Sequence, residues 1–419
     1  MKNSMNIIIA TFSLAMIFTA CKKDGCTDPV ATNYDKKANV ENNSCIYGAG
    51  GGGGAVITDE IKDDITTNTT IKAGVVKICT DINVSAVLTV EPGVIFIMCA
   101  GSSLDIEETG AIKANGTAAL PIVFKGETET AGFWEGIAIK SNNPNNQFNY
   151  VTVKDAGTYW GWDYANLYIA NGAQLTMKNS TVSNSQSVGL FAENSSTIPG
   201  FSNNTFSNNG TIGLNINSVH VGSLDGASNY NISNTESYIH VRGVEIGINQ
   251  TWQKLDTPLL LNATTKVSAG LTLMPGVSIL MESGADFSVA ASGYLNATGT
   301  AVDRITIFGR YTAAAYWDGI KIYSTNPNNK FNYVSIGDAG AYWGFNYATI
   351  DVDGRIEMNN TTITNSNSWA VYMRGSSSIY CSGVVQTTPE GVTAVNTLSG
   401  NGVGPDADCV DGGCTIYFD

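Results

Sequence analysis

SNNPNNQFNYVTVKDAGTYWGWDYA, residues 141–165, returns as STNPNNKFNYVSIGDAGAYWGFNYA, residues 324–348, with 17 of the 25 positions identical. The same offset of 183 residues aligns LTVEPGV at 88–94 with LTLMPGV at 271–277, and FWEGIAI at 133–139 with YWDGIKI at 316–322. After Ala165 the offset falls to 181, so that Asn179 matches Asn360 and Ser185 matches Ser366. That change falls at a turn, where length differences are tolerated. A unit duplicated in tandem is the reading, and self-similarity at a long period marks repeat architectures. Inside each unit stand short alternating segments such as Leu88-Thr89-Val90, Leu104-Asp105-Ile106 and Leu167-Tyr168-Ile169. Each sets two apolar residues on one face of a strand. Gly, Asn, Pro and Asp fill the gaps, two-residue Asn-Gly hairpin loops are scarce, and no helical period emerges. Short strands, polar turns and repeated Asn-Ser or Asn-Asn steps predict parallel coils stacked about 4.8 Å apart. The competing expectation is a pair of antiparallel β-sandwiches.

Composition narrows the function. The 419 residues carry 36 acids against 22 bases, a formal charge of −14, and only 14% charged residues, beside 45 Gly and 42 Asn. So low a charge density excludes a coiled coil or a charged disordered chain, and the acidic balance excludes binding through nucleic-acid phosphates.

Lys2 and the apolar run at 7–20 read as an export signal, since fourteen residues fall short of the roughly 20 that span a bilayer. Phe18-Thr19-Ala20-Cys21 resembles the bacterial lipoprotein lipobox, with Phe18 where Leu is usual. The resemblance implies that Cys21 is acylated and anchors the chain in the outer membrane. Lys22-Lys23-Asp24 is similar to the surface-export tag of Bacteroidota lipoproteins, which implies display on the cell surface. The next stretch, with Cys-Thr-Asp-Pro at 26–29, Asn33-Tyr34 and Ser44-Cys45, resembles a short module of secreted Bacteroidota proteins. So small a module cannot bury a core unaided, so Cys26 and Cys45 are expected to be bridged. Oxygen donors at Asp28, Asn33, Asp35, Asn42 and Asn43 admit Ca²⁺, the one candidate cofactor, but their spacing matches no EF-hand loop, and solvated turns are the favoured reading. The glycine run at 48–54 reads as a flexible tether.

LTVEPGV, NGTAALPIVF, FWEGI and FNYVTVKDAG together resemble the right-handed, pectin-lyase-like parallel β-helix of Bacteroidota surface proteins, over about residues 57–380. The expected organisation is a signal at 1–20, an anchor and disulfide module at 21–47, a linker at 48–56, and β-helix units at 57–235 and 236–419. The second unit carries a Cys-rich cap. Cys79 and Cys99 lie about one coil apart and are expected to be bridged, closing the first coils of the solenoid. Cys381, Cys409 and Cys414 are odd in number, so at least one of them is unpaired within that end. With no His nearby, metal ligation by these thiols is not expected.

The fold hosts lyases, hydrolases and plain binding proteins, so function must be read from sites. The only histidines are His220 and His240, and the Gly-His-Gly step of polygalacturonases is missing. Tyr238, His240 and Arg242 alternate onto one strand face, the most lyase-like constellation in the chain, although a solvated face at the junction of the units is the favoured reading. Glu135 recurs as Asp318 and Asp155 as Asp338, for which turn and structural roles are favoured over Ca²⁺ or acid-base work. The aromatic loops carry the functional expectation. Tyr159, Trp160, Trp162 and Tyr164 recur as Tyr342, Trp343, Phe345 and Tyr347. Two readings stay open: a platform on which sugar rings stack, or rings folded back to seal the side of the coil. The leading function is a non-catalytic cell-surface lipoprotein that binds glycan or a surface protein through these loops. The alternative is a polysaccharide lyase or hydrolase acting on acidic glycans.

Overall fold

A computed structural model describes residues 23–25, 35–38, 40–41, 59–404 and 415–419. Residues 1–58 and 59–419 form two compact units. In the first, Asp24–Gly25 pairs in parallel with Val40–Glu41, and Asp35 accepts the backbone N–H of Lys37 at 2.9 Å. The expected export signal, Cys21, the expected bridge between Cys26 and Cys45, and the glycine run lie outside the described residues, as do Cys409 and Cys414.

The second unit is all-β, with 42% of the chain in strands and 4% in helix. Consecutive strands go in turn to three different sheets. Val87–Val90, Ile95–Met98 and Ser103–Ile106 are followed by Ala111–Asn115, Ile122–Gly126 and Gly136–Ile139, each pairing in parallel with the strand three places before it. The one antiparallel pairing among the described residues is the terminal hairpin of Ser378–Cys381 with Val384–Gln386. The competing expectation, a pair of antiparallel sandwiches, is therefore not met among the described residues. Alternation explains the core: Leu104, Ile137, Leu167, Leu190 and Leu214 stand in one register column, all buried, with their neighbours facing outward.

The Asn-rich steps solve the turns. Asn179, Asn184, Asn203 and Asn208 each adopt a positive φ, which Asn tolerates better than most residues. The residue after each is buried, and the backbone N–H of Ser180 and Ser185 donates to Asn204 Oδ1 at 3.0 Å and Asn209 Oδ1 at 3.1 Å on the next circuit. Buried backbone donors that no strand can pair are thus satisfied.

Cys79 and Cys99 are disulfide-bonded with their Cα atoms 4.6 Å apart, each directly following the paired residues Ile78 and Met98. Cys381 is buried without a disulfide partner among the described residues, and Asn396 Nδ2 lies 3.6 Å from its sulfur.

One sheet of 13 strands, from Ile82–Val84 to Thr397–Leu398, runs the length of this unit and crosses the expected boundary at 235/236 without a break. The matching stretches contribute different strands to it. Gly136–Ile139 belongs to the long sheet, but its counterpart Gly319–Ile322 belongs to a six-stranded sheet. Conversely, Ile305–Gly309 belongs to the long sheet, whereas its counterpart Ile122–Gly126 belongs to an eight-stranded one. Equivalent sequence is thus displaced by one face. The first aromatic loop precedes Leu167–Ile169 and the second follows Val334–Gly337, both strands of the long sheet. Because that sheet is parallel, the two loops emerge from its opposite edges.

Candidate functional site: two aromatic loops and the face between them

Each loop is a single 3₁₀ turn, Trp160–Trp162 or Trp343–Phe345, followed by two residues at positive φ. These are Asp163 and Tyr164 at 55° and 54°, and Asn346 and Tyr347 at 53° each. A tyrosine is costly in this region, so surrounding contacts must impose it. Tyr164 N–H donates to the Tyr159 carbonyl at 3.2 Å, and Ser185 Oγ donates to the Tyr164 carbonyl at 2.9 Å. In the second loop Tyr347 N–H reaches the Tyr342 carbonyl at 3.3 Å. Glycine at 161 and 344 is required by close approach: a Cβ there would stand 2.5 Å and 2.3 Å from the ring of Tyr159 or Tyr342.

The loops divide their aromatics into foot and tip. Trp162 is 8% exposed and Phe345 7%, whereas Trp160 is 74% exposed and Trp343 71%. Tyr159 packs edge-on against Trp162 at 4.8 Å, as Tyr342 does against Phe345 at 5.2 Å. The expectation that all eight rings face a ligand is corrected for Trp162 and Phe345, which are covered by those tyrosines. Tyr159, Tyr164 and Tyr342 stay exposed and Tyr347 is half-buried.

Between the loops, Tyr238, His240 and Arg242 do alternate outward, but they are half-buried and the face is not simply solvated. Arg242 lies 4.4 Å over the Phe191 ring and donates to Asn215 Oδ1 and the Ala192 carbonyl. Asn215 in turn donates to Asp163 Oδ2 at 3.1 Å, tying the first loop to the sheet. Arg242 is thereby held against the sheet, and burial holds its guanidinium below the ordinary range. His240 pairs in register with Asn215 and Leu260, and neither ring nitrogen has a hydrogen-bond partner among the described residues. Burial, then the charge of Arg242, holds its imidazole below the ordinary range, so it is neutral at pH 7.

His240 and Tyr238 line a cleft of about 510 Å³ whose other walls include Asp163, Glu236, Glu282 and Arg310. Arg310 pairs with Glu282 at 3.0 Å and Glu236 at 3.6 Å and lies 5.1 Å over the Tyr238 ring. Burial opposes the charge on Glu282, but hydrogen bonds from Tyr316 and Arg310 outweigh it and hold the carboxyl below its usual range. The side-chain oxygen of Asn262, another wall residue, is buried without a donor among the described residues. A second cleft of about 660 Å³ begins at the same Arg310 and continues past Leu280 and Phe308 to Asp338 and Asn365. None of Glu236, Glu282, Arg310 or Leu260 stood out in the sequence, because each is a single outward residue whose neighbours arrive from other circuits.

The repeated carboxylates behave as turn residues. Asp155 and Asp338 sit at positive φ and each accepts an Asn side chain of the next circuit, Asn184 or Asn365, at 2.7 Å. Burial raises Glu135, and likewise Asp318, above the ordinary carboxylate range. No three His, Cys, Asp or Glu side chains converge as a metal site among the described residues. His220 is buried, accepts the Asn217 N–H at 3.2 Å and lies 2.8 Å from the Ser196 carbonyl; burial takes it down to about 4. Compared with known proteins, the chain matches no family model, no curated protein and no solved structure.

Proposed function

We propose that this protein is a non-catalytic glycan-binding surface lipoprotein whose body is a right-handed parallel β-helix of two duplicated units. The observation that carries the binding role is the pair of exposed tryptophans, Trp160 and Trp343, each held up by a buried aromatic foot. Large exposed rings on an ordered base suit the C–H faces of sugars, with Asp163, Asn346 and the tyrosine hydroxyls at hand for hydrogen bonds. The three-sheet strand order and the sequence match support the β-helix and the duplication. The lipobox resemblance supports anchoring through Cys21 in the outer membrane, facing out. A glycan array followed by calorimetry tests the binding role: Trp160→Ala should weaken a hit about tenfold or more. Hits insensitive to both Trp160→Ala and Trp343→Ala would remove the loops from the function. Loss of membrane fractionation in Cys21→Ser checks the anchor.

One observation favours the alternative of a lyase or hydrolase: His240, neutral and without a hydrogen-bond partner among the described residues, stands in the cleft beside Tyr238. Against it, Glu282 is held ionised and would repel a uronate carboxylate, and Arg310 is already paired with it. Polymer breakdown lost in His240→Ala would establish the enzymatic reading.

A further inference from the structure

The displacement of equivalent sequence by one face has a consequence for the ligand. The first loop stands at the edge where strands of the long sheet begin, and the second at the edge where they end. Seven strand steps separate Leu167–Ile169 from Val334–Gly337 within that sheet. At about 4.8 Å per step the loops lie about 34 Å apart along the sheet. The two clefts bridge that gap diagonally. The first runs from Asp163 of the first loop, past His240 and Leu260, to Arg310 at the far edge. The second continues from Arg310 along the far edge to Asp338, four residues before Tyr342 of the second loop.

We infer that this diagonal track is one extended binding site for a single linear, uncharged polysaccharide chain, with Trp160 and Trp343 stacking at its two ends. The inference rests on the glycan-binding reading of the loops. Charge decides the ligand class: Asp163, Glu236, Glu282 and Asp338 line the track, against one arginine already paired with two of them. A polyuronate would meet repulsion from these carboxylates, whereas hydroxyls can donate to them and bond the imidazole of His240, which has no hydrogen-bond partner among the described residues. Leu260, Leu280 and Phe308 supply apolar floor between the polar groups, as sugar faces need.

The test titrates the full mature chain with neutral oligosaccharides (β-linked glucan, xylan and mannan), as disaccharides and as oligomers longer than about 34 Å, and with oligogalacturonate. The long neutral oligomer should bind one per protein, and Trp160→Ala, His240→Ala and Trp343→Ala should each weaken it about tenfold. The His240 side chain makes no hydrogen bond among the described residues that its loss would break, and an unchanged melting curve for His240→Ala confirms that the track alone is altered. If the tryptophan changes weaken binding but His240→Ala does not, or if two long oligomers bind per protein, the loops are separate sites and the track is overturned while the glycan-binding reading stands. If no tryptophan change matters, both fall. Tighter binding of oligogalacturonate than of every neutral oligomer overturns the assignment of an uncharged ligand.

Discussion

The two aromatic loops have nearly the same backbone and opposite foundations. Under the first, Trp162 stacks on Tyr168 at 5.8 Å, and Tyr168 stacks on Phe191 at 5.9 Å, an apolar ladder along the long sheet. Under the second, the register position of Tyr168 is taken by Asp351, which is fully buried, and that of Ala138 by Lys321, 2.5 Å from it. Arg374 completes the cluster, bonding Asp351 and the carbonyl of Gly344 within the loop, while Asn346 donates to Asp351 at 3.0 Å. The same exposed tryptophan is thus carried by dispersion and apolar burial in one place and by a partly buried ion cluster in the other. A tip can be kept while its support is exchanged, provided that the backbone hydrogen bonds imposing the positive-φ pair remain.

Five substitutions press on this comparison. The largest effect is expected for Trp162→Ala, about 3–5 kcal/mol lost in denaturant melts and little changed by salt, because an apolar stack is emptied. A loss below about 1 kcal/mol would mean that the foot carries no load. Asp351→Ala should cost about 3 kcal/mol, at the lower end for a broken buried pair because Asp353 stays 2.9 Å from Lys321. It should also weaken ligand binding through the second loop while sparing the first, which calorimetry of the two Trp variants in that background reads directly.

Position 286 sharpens the contrast further, since it is Asp where the matching stretch has Ser103. Burial, with the nearby charge of Asp318 adding to it, pushes the Asp286 carboxyl up from 3.8 to about 6 against the hydrogen bond from Thr264. The folded state therefore holds this proton more tightly than the unfolded chain. Its favourable contribution is complete below about pH 4 and is lost as pH rises through 6. The displacement corresponds to at most about 3 kcal/mol. Asp286→Asn should flatten stability across that window and raise it at pH 7.5 by about 2 kcal/mol, measured as urea midpoints against pH. An unchanged slope would show that solvent reaches the carboxyl. The smallest stability change belongs to the tips: Trp160→Ala and Trp343→Ala should stay within about 0.5 kcal/mol of the parent, although ligand affinity falls. Destabilisation beyond that would return both rings to a packing role.

Much of this was legible in the chain. Two-residue alternation assigned Leu88, Leu104, Leu167 and their partners to the interior, and the 20-residue spacing of Cys79 and Cys99 anticipated their bond. The Asn-Ser and Asn-Asn steps marked the turns, because Asn accepts a positive φ and its amide reaches a neighbouring backbone. The repeated Tyr-Trp-Gly motif located the loops. It did not distinguish Trp160 from Trp162, since both are tryptophans two residues apart and the rings that cover Trp162, Tyr159 and Tyr168, meet it only in the folded structure.

What the residue order determined by itself was local: which side chains point inward, where the chain turns, and which segments match. Each of these follows from strand periodicity and turn chemistry over a few residues. The tertiary structure alone decided which sheet each matching strand joins, and hence that the loops stand at opposite edges of one face. It also decided that His240, Glu282 and Arg310 meet. An outward residue carries no periodic signal, and its neighbours come from strands 20 to 30 residues away, so their convergence depends on how the length of every intervening turn sums around the circuits.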